Sequence, residues 1–316
     1  MPFDALRSAV GSAVSSAGSS TVSASSEALG SSAPVAIFDS GLGGLSVLRA
    51  VRAALPDERL IYVADSRYAP YGERDDDFIA DRTLAIGEWL VSQGAKTLVV
   101  ACNTATAQSI AQTRDRLPIP VIGVEPGIKP AALTSKTRVV GVLATAVTLR
   151  SARFQALAER HTSDCQFILQ PGHGLVQAVE RCDTNSPELV ALLRSYVQPM
   201  LDANADTLVL GCTHYPFLDQ AIRSISGDRL TLIDTSIAIA RQLERQLDSF
   251  GLRAAPAQAR DQAQAQAQAI ELPRFYSTSD GQALRQLAAS LLGLDVTVEH
   301  VVIPSRRTLA LESNPV

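Results

Sequence analysis

What the sequence lacks excludes several protein classes. No apolar run approaches the roughly 20 residues that a bilayer-crossing helix needs, so no membrane partner is expected. No stretch is dense in Lys or Arg, and a formal net charge of −4 gives nucleic acid no electrostatic footing. Cysteine is scarce. Cys102, Cys165, Cys182 and Cys212 form no CxxC pair, so neither a structural zinc site nor another metal site is expected. Unpaired thiols suit a reducing, cytoplasmic setting. The N-terminus has no continuous apolar signal region, and a single Arg7 with Asp4 and Glu27 argues against a transit peptide. Residues 1–33 are mostly Ser, Ala, Gly and Val with no aromatic beyond Phe3, and disorder is expected there. The tract "AQARDQAQAQAQA" (257–269) reads as a solvent-exposed loop or frayed helix.

What is present is a chain of 316 residues, 46% of them hydrophobic, long enough for two domains of ordinary size. From Pro34 onward, short apolar runs alternate with helical patterns. Strands are predicted at 34–40, 59–65, 97–102 and 120–126, then at 138–145, 165–170, 207–212 and 230–236, with two more at 274–280 and 296–303. Helices are predicted between them, among others at 45–55 and at 75–94, the latter closing on Gly94. Buried apolar strands separated by helices imply parallel α/β sheets. The halves also repeat. Asp39 aligns with Ala144, Asp65 with Gln170, Cys102 with Cys212, and Glu125 with Asp234 or Thr235, at offsets of 105 to 110.

Two segments in this repeat carry chemistry. "TLVVACNTATA" (97–107) and "TLVLGCTHYP" (207–216) each run an apolar strand into a cysteine followed by small polar residues. Ligands of open parallel sheets sit beyond the carboxyl ends of strands, where Asp39, Ser40, Asp65 and Thr145 also fall. A lone strand cysteine is ordinarily structural, and Cys165 and Cys182, without polar companions, are read that way. His161 and His300 are read as surface or packing residues. "DSGLGG" (39–44) lacks the full GxGxxG spacing of a dinucleotide site, and backbone geometry alone would explain its glycines.

Twin thiols on facing halves suit inversion of a carbon centre, where one group removes a proton and another returns one to the opposite face. A thiol with an ordinary pKa of about 8.5 can serve in either role. His214, two residues beyond Cys212, can share that thiol's proton. Asp39 is the candidate beside Cys102, although spacing alone does not pair them. A cysteine hydrolase would leave the second thiol unexplained. A binding protein on an inactive fold would leave both unexplained.

The segments "FDSGLGG", "ADSRYAPYGER", "ACNTATA", "GVEPG", "LATAVTLRS", "GCTHYPFL" and "LIDTS" occur in an order and spacing that resembles the glutamate racemase family, from about Val35 to the C-terminus. Carried over by position, the resemblance implies Cys102 as acid/base for the D-enantiomer and Cys212 for the L-enantiomer. Asp39 and His214 would assist them, with Glu180 orienting His214. Substrate contacts are implied at Asp39, Ser40, Tyr71, Gly72, Asn103, Thr104, Thr213 and His214, with the Asp65 carboxylate behind them. The implied architecture is two pseudo-symmetric parallel-sheet α/β domains with the active site between them. Residues 34–127 plus 237–316 would form the first domain and 128–236 the second. The resemblance further implies glutamate as substrate, no cofactor, a homodimer, and supply of D-glutamate for peptidoglycan. An aspartate-specific relative would keep both thiols and stays open at this point.

Overall fold

The computed structural model describes residues 30–163, 165–256 and 272–305. Ten strands follow in chain order: β1 (Val35–Asp39), β2 (Leu60–Ala64), β3 (Thr97–Val100), β4 (Val121–Gly123), β5 (Val139–Ala144), β6 (Gln166–Pro171), β7 (Thr207–Gly211), β8 (Thr231–Ile233), β9 (Arg274–Ser277) and β10 (Val298–His300). They form two parallel sheets, one ordered β10-β9-β2-β1-β3-β4 and the other β6-β5-β7-β8. The order β2-β1-β3-β4 in the first sheet is repeated as β6-β5-β7-β8 in the second. The expected pair of parallel-sheet α/β units is therefore present, and β3 and β7, which lead to Cys102 and Cys212, hold equivalent places.

Burial explains why these segments are strands. β1, β2, β3 and β7 are buried along their whole length. A strand covered on both faces by helices needs a continuous apolar run rather than an alternating one. The later chain returns to the first sheet. β9 pairs with β2, and the helix Ser236–Ser249 packs on the helix Leu45–Ala54. One apolar cluster runs through both units, from Leu42 and Leu45 to Leu175, Val179 and Leu210.

The strands end earlier than their apolar runs. β3 stops at Val100, and Cys102 becomes the N-cap of the helix Asn103–Arg116. β10 is cut to three residues. The helix Asp76–Ser92 starts where Asp75 accepts from the Phe78 N–H at 2.7 Å, and it ends before Gly94 in the left-handed region at φ 79°. Within the predicted disordered stretch 1–33, residues 30–33 form a turn, closed by the Ala33 N–H on the Gly30 carbonyl. The rest of that stretch and the tract at 257–269 lie outside the described residues. His161 lies in a turn after the helix Ala152–Glu159, and His300 is exposed on β10. Cys165 is buried with its thiol 3.6 Å from the Ala132 carbonyl, and none of the four cysteines is in a disulfide.

Candidate active site

The site is built around the loop that leaves β1. Asp39 is fully buried, and its Oδ2 accepts from the N–H groups of Gly41 (3.2 Å) and Gly44 (3.0 Å), which folds the loop back on itself. The loop glycines do not owe their place to left-handed backbone, since none of Gly41, Gly43 and Gly44 has positive φ. They are required by close approach. A Cβ on Gly41 would run into the Glu180 carboxylate, and one on Gly43 into the His214 imidazole and the Thr213 hydroxyl. The first unit thus inserts a side-chain-free loop against groups supplied by the second.

Cys102 is 5% exposed and sits at the N-terminus of the helix Asn103–Arg116, where its sulfur accepts from the Ala105 N–H at 3.4 Å. The Ser40 hydroxyl lies 3.2 Å away. Burial and the neighbouring Asp39 push the thiol up to about 12, although Ser40 and the Ala105 N–H favour the thiolate. The charge of Cys212 adds to the rise, which marks the two thiols as electrostatic neighbours. Burial likewise raises Asp39 above the usual carboxylate range, against the pull of His214 and the two backbone N–H groups.

Cys212 has different company. The Nδ1 of His214 lies 3.6 Å from its sulfur, and the Nε2 of His214 lies 2.6 Å from Glu180 Oε1. Glu180 ends the helix Leu175–Glu180 and also accepts from the Leu42 N–H at 2.7 Å. A contact as short as 2.6 Å between an imidazole nitrogen and a carboxylate oxygen fits a proton held between them when His214 is protonated, and the Gly43 N–H also points at Nε2 from 3.2 Å. Burial disfavours the imidazolium, yet the bonds to Cys212 and Glu180, and their charges, hold His214 well above the ordinary histidine range. The twin cysteines therefore share a sheet position but not a setting. One opens an α-helix, and the other opens a turn into the short helix Tyr215–Leu218.

Other expected positions gather around this pair. Ser46 Oγ bonds the carbonyls of Gly43 (2.9 Å) and Thr213 (3.1 Å). The Thr104 hydroxyl meets those of Thr145 (2.9 Å) and Thr148 (3.4 Å), joining the two units. Asn103 Nδ2 and Asp39 Oδ1 are buried without a hydrogen-bond partner. The Tyr71 hydroxyl is committed to Asp65 Oδ2 at 2.6 Å, so it is the ring and backbone of Tyr71 that can face a ligand. A cavity of about 40 Å³ between the two units is lined by Pro70, Gly72, Thr145, Gly172, Val176 and Gln177.

Sequence reasoning missed Thr148, Tyr62 and Arg82. Tyr62 donates to the Gly41 carbonyl at 3.1 Å and so braces the loop after β1. Arg82 had a legible signal, a charge on the buried face of a helix between Ile79 and Ile86.

A model described as Asp/Glu/hydantoin racemase matches residues 45–243, and the chain belongs to that family. Within the family it is similar to several glutamate racemases. It is 60% identical to the glutamate racemase of Ralstonia pickettii over 83% of this chain and 88% of that protein. The structure of a glutamate racemase isoform from Bacillus anthracis matches with a TM-score of 0.74 at 28% identity, covering 87% of this chain and 99% of that one. Escherichia coli glutamate racemase, solved with L-glutamate and the activator UDP-MurNAc-Ala, matches with a TM-score of 0.73 at 30% identity over 86% and 100%. Among the described residues, no helix is long and apolar enough to cross a membrane.

Proposed function

We propose that the chain interconverts L- and D-glutamate by direct proton transfer at the α-carbon, with Cys102 and Cys212 acting from opposite faces. The observation that carries this reading is the pairing of each thiol with its own proton-handling group. Cys212 has His214 and Glu180, and Cys102 has Ser40 with Asp39 close by. Glutamate is the substrate named for the relative at 60% identity and for the E. coli structure.

For L-glutamate, Cys212, with His214 Nδ1 3.6 Å from its sulfur, acts as the base and removes the α-proton. Cys102 starts as the thiol, because its site disfavours charge, and delivers its proton to the other face. For D-glutamate the roles reverse. Asp39, starting as a carboxylate that burial makes a stronger base, then takes the Cys102 proton. Negative charge that develops on the α-carboxylate in the transition state is stabilised by preorganised donors, Asn103 Nδ2 and the N-terminal N–H groups of its helix. Donors aimed at developing charge contribute about 10²- to 10³-fold each. An acid/base pair of this kind needs no organic cofactor. Free thiols support a reducing cytoplasmic setting, where the product would feed peptidoglycan synthesis.

The test is turnover of L-glutamate and of L-aspartate by purified protein without added cofactor, followed by chiral chromatography. Glutamate is expected to racemise at least about a hundredfold faster, since a far carboxylate out of reach of its partners loses most orientation. Faster turnover of aspartate, or of neither, would overturn the glutamate reading.

A further inference from the structure

The helix Asp76–Ser92 buries an arginine where its periodicity calls for an apolar side chain. Arg82 is fully buried in a row with Phe78, Ile79 and Ile86. A buried guanidinium is costly unless its N–H groups are paired. Its Nε donates to Asp65 Oδ2 at 3.0 Å and its Nη2 to Asp65 Oδ1 at 2.6 Å. Its Nη1 donates to the Ile303 carbonyl, and its plane lies 4.5 Å over the Tyr68 ring. Apolar residues of like volume often serve stability as well as a buried ion pair does. What the pair supplies here is direction. A two-point grip fixes the plane of the Asp65 carboxylate, and with it the oxygen that Tyr71 bonds.

That oxygen connects the clamp to the cleft. Tyr71 donates to Asp65 Oδ2 at 2.6 Å and shares an apolar cluster with Cys102, Phe38 and Val147. The next residue, Gly72, lies against Thr145 of the second unit. Glu73 then accepts from Gln177 at 2.5 Å, and Gln177 belongs to the helix that carries Glu180. Residues 70–73 are therefore one wall of the cleft mouth.

We propose that Arg82 is a positioning residue for racemisation. Through Asp65 it holds Tyr71 and the 70–73 wall against Cys102, and through the Ile303 carbonyl it ties that wall to the chain segment after β10. This rests on the racemase reading above.

The experiment compares Arg82→Lys, Tyr71→Phe and the double variant with wild type, all full length, on L-glutamate. Lysine keeps the charge but cannot grip both carboxylate oxygens, and phenylalanine removes only the hydroxyl. Each single variant is expected to raise KM about tenfold while kcat falls less, because a misplaced wall weakens binding of ground and transition states together. The double variant is expected to add little to either single, since both break one chain of contacts. Glu58→Gln is the control. It disrupts the buried Lys96–Glu58 pair (2.5 Å) away from the cleft, and should lower the unfolding midpoint without moving KM. If Arg82→Lys does not fold, Asp65→Asn with Tyr71→Phe makes the same comparison. Variants that stay folded with wild-type KM, or effects that multiply in the double variant, would overturn the clamp alone. A wild type inactive on glutamate would overturn the functional reading and the clamp with it.

Discussion

Glu180 Oε1 stands 2.6 Å from His214 Nε2, on the side of the imidazole away from Cys212. The carboxylate orients the ring and holds its proton, so the face toward Cys212 keeps an Nδ1–H for the sulfur. Replacing Glu180 with Gln removes the charge and keeps the shape. Turnover of L-glutamate is expected to fall about tenfold, the low end for losing a partner that orients a working histidine. His214 is held high by Cys212 and Glu180 together, so its pKa falls in the variant. The alkaline limb of the kcat/KM profile that reports it should move to lower pH. An unmoved limb would mean that Glu180 does not act through the imidazole.

Cys102, pushed up to about 12 by burial and Asp39, is expected to resist alkylation at pH 7, where well under one side chain in a thousand is ionised. Cys212, beside the His214 imidazolium, should be modified first. Iodoacetamide treatment with peptide mass spectrometry at pH 7 and pH 9.5 checks this. Labelling of Cys102 ahead of Cys212 at pH 7 would refute Cys102 as a resting thiol.

Asp206 offers a stability test outside the site. Its carboxylate accepts from Ser135 Oγ (2.6 Å), the N–H groups of Lys136 (2.6 Å) and Thr137 (2.9 Å), and Thr207 Oγ1 (3.0 Å). Burial acts the other way, but these donors bring the group down to about 2. Since the folded value lies below the unfolded one of about 3.9, the stabilisation is complete above pH 4 and is lost as pH falls toward 2. Asp206→Asn should cost about 1 kcal/mol at pH 7, discounted because the group is partly solvent-accessible. Urea unfolding should show that difference narrowing between pH 5 and pH 2.5. A difference that persists at low pH would mean packing, not charge, is lost.

The central strands β1, β2, β3, β5 and β7 were legible because each is an apolar run bounded by turn residues, and the duplication because Cys102 and Cys212 recur at one offset. Strand ends were less legible. The runs at 97–102 and 230–236 continue into side chains that cap or turn, and only three-dimensional hydrogen bonding decides where the ladder stops. By sequence alone, the glycines of residues 39–44 look like backbone devices. Gly41 and Gly43 are there because Glu180 and His214 approach from more than 130 residues away, which no local pattern encodes. Arg82 could be flagged as a charge on an apolar face. Its partner at Ile303, 221 residues distant, is fixed by the return of the late chain to the first sheet.

The most direct test of the two-thiol reading is proton NMR of L- and D-glutamate, incubated separately in heavy water with wild type, Cys102→Ser and Cys212→Ser. Two bases on opposite faces require deuterium to appear in the product enantiomer before it appears in recovered substrate, from either direction. Each serine variant should lose at least about a thousandfold in interconversion, because a hydroxyl is a far weaker acid than a thiol and hardly ionises near neutral pH, so it neither supplies the base nor gives up its proton readily. Early exchange into recovered substrate at the rate of product formation, or a variant that racemises like wild type, would contradict it.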